Sequence, residues 1–535
     1  MENRVIVVGA GGAGLVAALN AHENGAKVCL ITKEYPTRSQ TCMAQGGINA
    51  VLSGDEGDSI EIHVQNTLKS ANALADESAV RYMCEEAPKA VAWLDSIGVP
   101  FSRTPKSKIA QRKLGGAYAA RACYAQDYTG LKILHTLYDR CLAEGIEILN
   151  ERYLLELLSE LDESGKKHIC GVSLLNKRSG EIEIHKASSV IIATGGYSRL
   201  YHNYSTNSLS STGDGIASAL RAGARVSDME FVQFHPTALK NSSILISESA
   251  RGAGGYLLNS KSERFLNELL PRDEVSKAIH DEIQKGEEIY LDIRHLGAEF
   301  IEKELPQEVK LAKLYENVDP VHDLIPIKPA AHYTMGGIEV DAFSSTCIAG
   351  LFAAGECANH KVHGANRLGG NSLLELVVFG RQAGVNAAKY AKSFSKERIF
   401  FKEKEFFENE IAEIKRFTNE INFYEKQAYL GELFYKNVGI KRDKEALQET
   451  LKLVEEMRDD LPKMGVSDKT KEYNTNLIEF LEFKNMLMLA EAVLLSAISR
   501  QESRGAHFRI DFAKTDEKYT AHTIVDSDKR VSYEN

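Results

Sequence analysis

Arg4-Val5-Ile6-Val7-Val8-Gly9-Ala10-Gly11-Gly12-Ala13-Gly14 is an apolar run that breaks on glycine. Val5 to Val8 carry no polar face, the pattern of a strand buried on both sides. Gly9, Gly11 and Gly14 then form GxGxxG, and a helical pattern follows from Ala13 to Asn24. Gly25 stands where a helix C-cap belongs, and Lys27 to Thr32 read as the next strand. GxGxxG alone says little. Between a strand and a helix of one βαβ unit it says much more. Glycine lets backbone approach a pyrophosphate, which then rests at the positive end of the helix. A dinucleotide is therefore expected against Gly9, Gly11, Gly12 and Gly14. The acidic residue usual after the second strand is replaced by Thr32-Lys33 and then Glu34. A ribose hydroxyl would bond to Thr32 or to backbone, and NAD, NADP and FAD all stay open.

The bulk numbers narrow the classes. A chain of 535 residues is too long for one core, so several domains are expected. A net charge of -10 argues against a nucleic-acid binder, while leaving room for a local basic pocket. No charged-then-apolar leader and no twin-Arg pattern precede the first strand, which predicts a cytoplasmic protein. Met486 to Ile498 is apolar but is interrupted by Glu491 and is too short to span a bilayer. The eight cysteines are scattered without a CxxC pair. No iron–sulfur cluster, structural zinc or disulfide framework is expected in this chain, and no metal site.

Working outward, Ser189 to Ala193 read as another buried strand, ending in Thr194-Gly195-Gly196. Gly350 to Ala354 form a further apolar run, ending in Gly355-Glu356. Between them lies a stretch rich in His, Arg and Gly, read as an inserted domain. Residues 396–461 hold no proline, and Leu447, Leu451 and Val454 recur at helical spacing. Ile478 to Ser499 read as a more buried helix. The expected fold is α/β: a Rossmann-like nucleotide-binding domain of residues 1–225 and 330–395, with an inserted α+β capping domain of residues 226–329. A helical domain of residues 396–500 and a C-terminal segment of residues 501–535 complete it.

Further turns select the cofactor. Ser39-Gln40-Thr41 leads to Ala44-Gln45-Gly46-Gly47-Ile48-Asn49, rich enough in glycine to lie against a flat ring. Thr212-Gly213-Asp214-Gly215 and Gly355-Glu356 add turns with acidic residues. With ATGG (193–196), QFHPT (233–237), PRD (271–273), AHYTMGG (331–337), GANRLGGNSLLE (364–375) and ESRGAH (502–507), the sequence resembles the succinate dehydrogenase/fumarate reductase flavoprotein family. That family also includes L-aspartate oxidase, and the resemblance runs from residue 4 to about 524. It implies that the Rossmann-like domain binds FAD. Beside the four glycines it implies cofactor contacts at Thr32, Lys33, Ser39, Gln40, Thr41, Gln45, Gly46, Gly47, Ala193, Thr194, Gly195, Asp214, Gly355, Glu356, Arg367, Gly370, Ser372 and Leu373.

A dicarboxylate needs a cationic or hydrogen-bonding clamp at each end, and reduction of its double bond needs a proton donor. The resemblance implies that His235, Ser247, His332 and Arg367 hold the carboxylates of fumarate or succinate. It implies a hydride from flavin N5, a proton from Arg272, and return of that proton through Glu248 and Arg251. Arginine ordinarily keeps its proton, so this acid requires fast reprotonation. Alone, His235 beside Pro236 would read as a turn residue and Arg272 as a surface ion-pair partner; the set changes that. His63 and His295 read as structural, and His363 is placed near the flavin. Glu502 to His507 read as domain packing or a partner surface.

Four departures and absences sharpen the expectation. Respiratory members carry a histidine at the Gln40 position, bonded covalently to the flavin. A glutamine amide cannot form that bond, so FAD is expected to be non-covalent, at a lower potential that favours fumarate reduction. Gln40 and the short segment between Arg264 and Pro271 also fit L-aspartate oxidase. Leu114 speaks against it, because such oxidases place a glutamate there for the substrate ammonium, and an unpaired buried charge is costly. A subunit that only relays electrons is the other alternative, which the His235, Arg272, His332 and Arg367 set disfavours. Without cluster cysteines, electrons are expected through a separate iron–sulfur subunit. A membrane anchor or other donor subunit would place the chain at the inner face of the membrane.

Overall fold

The computed structural model describes residues 3–52, 57–162, 164–393 and 401–534. Five parallel strands form the central sheet in the order Leu351–Ala353, Ser189–Ile192, Arg4–Val8, Lys27–Thr32, Glu147–Asn150. Val5 to Val8 are fully enclosed, as an all-apolar strand covered on both faces requires. One face is covered by helix Gly12–Glu23 packed on helix Asn371–Ser393. Gly380 and Gly384 let those helices touch: an added Cβ would lie 2.8 Å from the Ala13 carbonyl or 2.3 Å from that of Ala17. An antiparallel sheet of Arg152–Leu161, Lys167–Asn176 and Ile182–Lys186 packs into the core on the other side.

The inserted unit has its own antiparallel sheet, ordered Val232–Leu239, Ile325–Thr334, Ile289–Asp292, Tyr256–Leu258. Helices Arg272–Gln284, Ala298–Glu304 and Pro306–Tyr315 close over it on a core that includes Leu239, Val275, Ile279, Leu291 and Ile327. Its sheet runs from residue 232 to 334. Val226–Ser227 pairs instead with Gly337–Glu339 and with His522–Val525, in a sheet that ties the C-terminal segment to the nucleotide-binding body. Those partners lie about 110 and about 300 residues away, so local pattern does not reveal them.

Helices Phe401–Ile414, Phe423–Asn437, Lys444–Asp459 and Thr475–Ser499 make the helical region. Leu447 and Val454 are buried in it and Leu451 is half-buried. The expected boundary at 395/396 lies outside the described residues. Among the described residues, no helix is long and apolar enough to cross a membrane, and no group of three or more candidate ligands could hold a metal ion. All eight cysteines are free thiols. Glu502 to His507 resolve to internal packing: Arg500 bonds Glu230 at 2.6 Å and Glu502 at 2.9 Å, Arg504 bonds Glu502 at 2.7 Å, and all are buried.

Candidate active site

The glycines after the first strand divide their work. Gly9 has φ +112°, and a Cβ there would lie 2.1 Å from the Ala193 carbonyl. A Cβ on Gly14 would lie 1.8 Å from the Gly9 carbonyl. Gly14, expected at the cofactor, thus serves helix-to-strand packing and does not reach the cleft wall. A Cβ on Gly11 would meet nothing nearer than Thr41 Oγ1 at 3.6 Å, so the space beside it belongs to the cleft. Helix Gly12–Glu23 starts there without a side-chain cap, leaving its N–H groups and positive end for an anion. The Gly12 N–H donates to Thr41 Oγ1 at 3.0 Å.

One cleft runs from these glycines to Arg272, and the other expected cofactor residues all line it. Two of them spend their side chains elsewhere. The Lys33 ammonium donates to Ser210 O, Thr212 Oγ1, Asp214 Oδ2 and Glu482 Oε1 at 2.6–3.1 Å. Burial opposes its charge, and Asp214 and Glu482 more than offset that, holding its pKa above the usual lysine value. Asp214 also accepts from Tyr153 and Asn485. Lys33 and Asp214 therefore brace the cleft floor against helix Thr475–Ser499. Gln40 is anchored through its Oε1, which accepts the Ser208 N–H at 2.7 Å.

The cleft wall also carries buried polar atoms with no protein partner: Ser39 Oγ, both amide atoms of Gln45, Thr194 Oγ1 and Arg367 Nε. Each unpaired buried group costs about 1–3 kcal/mol, so this wall is built for a polar ligand. A long glycine-lined cleft with a helix N-terminus at one end and orphaned donors and acceptors along it fits FAD.

At the other end, QFHPT and AHYTMGG lie on adjacent antiparallel strands, where Phe234 faces Ala331 and His235 faces Ala330. That register brings the His235 and His332 rings within 4.9 Å. His235 Nδ1 lies 3.2 Å from the Thr237 nitrogen and 3.3 Å from its carbonyl oxygen. His332 Nδ1 is bonded to Thr206 Oγ1 at 2.8 Å. Burial, then Arg272 for the first ring and His235 for the second, holds both well below the usual histidine pKa, so both are neutral.

Arg272 is the first residue of helix Arg272–Gln284. Its Nη2 donates to Glu248 Oε2 at 2.8 Å and its Nη1 to Gln233 Oε1 at 3.0 Å. Arg251 Nη2 donates to Glu248 Oε1 at 3.0 Å, completing an Arg272–Glu248–Arg251 chain. Arg251 does not line the cleft. It sits behind Glu248, with Nη1 on the Glu268 carbonyl at 2.6 Å. Burial pushes the Glu248 carboxyl up, but Arg272 and Arg251 outweigh it and hold the group at about 2, ionised. Gly115 and Gly369 leave room for it; a Cβ on either would lie 2.5 or 2.7 Å from a Glu248 oxygen. Arg367 donates to the same Gln233 oxygen at 3.1 Å, and its guanidinium lies 4.3 Å over the Tyr333 ring. Burial and then Arg272 lower its pKa to about 10. Ser247 caps helix Glu248–Gly252, and its hydroxyl bonds that of Ser249.

Sequence reasoning passed over Gln233, although QFHPT contains it. Its one oxygen accepts from both Arg272 and Arg367, while its NH2 group donates to Asn366 Oδ1 and Arg367 O. Glu375, within the GANRLGGNSLLE motif, was also missed; it accepts from the Tyr333 hydroxyl and bonds His363 at 3.1 Å. His363 is thus tied to Glu375 and does not line the cleft. His63 is buried against Asn371, and His295 stacks on Tyr256.

A nucleotide-binding βαβ cleft that ends among two guanidiniums and two neutral imidazoles defines a dinucleotide-dependent oxidoreductase with an anion-accepting end. The comparisons with known proteins specify the class. The FAD binding domain family matches residues 4–373, and the fumarate reductase flavoprotein C-terminal family matches residues 427–535. The chain is similar to the succinate dehydrogenase flavoprotein subunit of Rickettsia bellii, 38% identical over 98% of this chain and 93% of that protein. It is similar to the 8-methylmenaquinol:fumarate reductase flavoprotein subunit of Wolinella succinogenes, 39% identical over 98% of this chain and 88% of that one. The solved quinol fumarate reductase chain of E. coli superposes with a TM-score of 0.94 at 36% identity, covering 100% of this chain and 97% of that one. The chain belongs to the succinate dehydrogenase/fumarate reductase flavoprotein family.

Proposed function

We propose that this chain interconverts fumarate and succinate with FAD, as the flavoprotein subunit of a larger complex. The observation that carries the reading is the Arg272–Glu248–Arg251 chain, standing at the end of the cofactor cleft beside Arg367 and the His235–His332 pair. His235, His332, the Ser247 hydroxyl and the Arg367 guanidinium hold the two carboxylates. Neutral imidazoles donate there without adding charge that would trap the product. When bound, FAD supplies the hydride for reduction or takes it up for oxidation. Arg272 gives a proton to the carbon that did not receive the hydride. After Arg272 has lost its proton, Glu248, which is ionised at rest, takes a proton from Arg251 behind it and passes it to Arg272. Burial of this set keeps water from competing for the reacting carbons.

Gln40 leaves FAD bound without a link to the protein, its amide oxygen already committed to Ser208. Precipitation with acid is therefore expected to release all the yellow colour into the supernatant; colour retained in the pellet would contradict this. Non-covalent flavin favours the reductive direction. A separate iron–sulfur subunit, quinol-linked or fed by another donor, delivers the electrons. Leu114 is buried in the cleft wall near Gly46 and offers an ammonium no counter-charge, which separates this chain from aspartate oxidation. An anaerobic assay with reduced viologen and fumarate, beside aspartate with oxygen, tests the reading. Turnover of fumarate only is expected, and turnover of aspartate only would overturn it.

A further inference from the structure

Outside the catalytic set, two carboxyl groups meet in the dry interior. Asp127 lies in the loop before helix Thr129–Ala143 of the nucleotide-binding body, and Glu308 lies in the first turn of helix Pro306–Tyr315 of the inserted unit. Neither side chain is reached by solvent. Each spends one oxygen on a backbone N–H of the inserted unit. Asp127 Oδ2 accepts from Gln307 at 2.8 Å, and so caps a helix that has no side-chain cap of its own. Glu308 Oε1 accepts from Ser247 at 3.1 Å. The remaining oxygens, Asp127 Oδ1 and Glu308 Oε2, are buried with no protein hydrogen-bond partner, and Asp127 is held on Gln307, the residue next to Glu308. Two buried carboxylates in contact would repel, whereas one proton between them satisfies both orphans.

We propose that Glu308 is a positioning residue of the active site, which shares one proton with Asp127 and thereby holds Ser247 and the Glu248 helix against the nucleotide-binding body. The inference rests on the proposed fumarate site. Four oxygens then have four partners: Gln307 N–H, Ser247 N–H, and the two ends of the shared O–H···O bond. Burial first, and Asp127 second, push the Glu308 carboxyl well above the usual range, so it is the protonated member. Arg112 is a cation within electrostatic range of both carboxyls, but among the described residues no ion pair joins it to either. Arg112 and Tyr124 face the pair from the body, Tyr128 flanks Asp127, and Glu304 stands one helix earlier. Arg112 is engaged by the Gln45 and Gly46 carbonyls and stacks on Tyr124. Two residues beyond Asp127, the Thr129 hydroxyl donates to the Gln45 carbonyl at 3.2 Å. One contact chain thus joins the turn expected to meet the flavin to the serine expected to meet the substrate.

The sign of the pH effect follows. A carboxyl whose folded pKa is raised stabilises the closed arrangement at low pH, and that contribution is lost as pH rises through the folded value. The test uses the FAD-loaded full chain, with E308Q and E308L. Glutamine keeps both bonds at every pH, donating its NH2 to Asp127 and accepting from Ser247. Leucine keeps neither. At neutral pH, E308L is expected to raise KM for fumarate about tenfold with kcat within about threefold, the cost of one buried hydrogen bond. The wild type is expected to show an alkaline rise in KM, and E308Q is expected to keep the wild-type KM at neutral pH and to abolish that rise. Hydrogen exchange reads the same device without substrate: the Ser247 and Gln307 amides exchange faster in E308L and at wild-type rates in E308Q. Equal impairment of E308Q and E308L would overturn the proposal. So would unchanged exchange in E308L, or superimposable KM–pH profiles of wild type and E308Q. A wild type that exchanges as expected but fails to reduce fumarate would refute the proposed function and leave the pair standing.

Discussion

Replacing Arg272 by alanine is expected to lower kcat for fumarate reduction by about 10²–10⁴-fold, the range for loss of a positioned acid. The guanidinium is fixed from two sides, by Glu248 at 2.8 Å and Gln233 at 3.0 Å, at the mouth of the anion-accepting end. FAD content is expected to stay at one per chain, because the glycine turn and the Gln45 segment do not depend on Arg272. Lysine keeps the charge but not the fork that reaches Glu248 and Gln233 together, so R272K is expected to fall within about tenfold of R272A. Steady-state rates with a viologen donor, normalised to flavin absorbance, check this. Undiminished turnover in either variant would reject the assignment of Arg272 and revive the reading of a subunit that only relays electrons.

Glu248→Gln is expected to cost both stability and turnover. The carboxylate is the shared counter-charge of Arg251 and Arg272, and all three are buried. Removing one partner of a buried ion pair leaves uncompensated charge and costs about 3–5 kcal/mol. The pH dependence follows from the same contacts. The folded pKa is depressed to about 2 from an ordinary 4.5, so the contribution is full above the unfolded value and is lost as pH falls through the folded one. Denaturation midpoints of the wild type should therefore fall between pH 4.5 and the acid limit more steeply than those of E248Q. Turnover should drop about 10²-fold, because Arg272 would lose the group that reprotonates it. Equal pH slopes for the two proteins would show that Glu248 does not carry the charge assigned to it.

Much of this was legible in residues close along the chain. The strand Arg4–Val8, the turn at Gly9 and the helix after Gly11 follow from local rules, since an all-apolar strand and a glycine crossing leave few alternatives. Helix Thr475–Ser499 extends the expected span by three residues, to where the Asn474 side chain caps it on the Leu477 N–H. The site was legible as a set of motifs but not as contacts. Gln233 was quoted within QFHPT, yet its role depends on Arg272 and Arg367, 39 and 134 residues away. Lys33 and Asp214 were placed at the cofactor by motif, and their mutual ion pair could not be read from spacing. Asp127 and Glu308 carry no motif at all. Their meaning comes from two domains meeting, as does the pairing of Val226–Ser227 with His522–Val525.

The most direct measurement is a single turnover. Purified chain, with its flavin reduced and oxygen excluded, is mixed with fumarate in a stopped-flow cell. Reappearance of oxidised-flavin absorbance with one succinate formed per flavin is the result expected. Flavin that stays reduced in the presence of fumarate, in a preparation with full FAD content, would contradict the account.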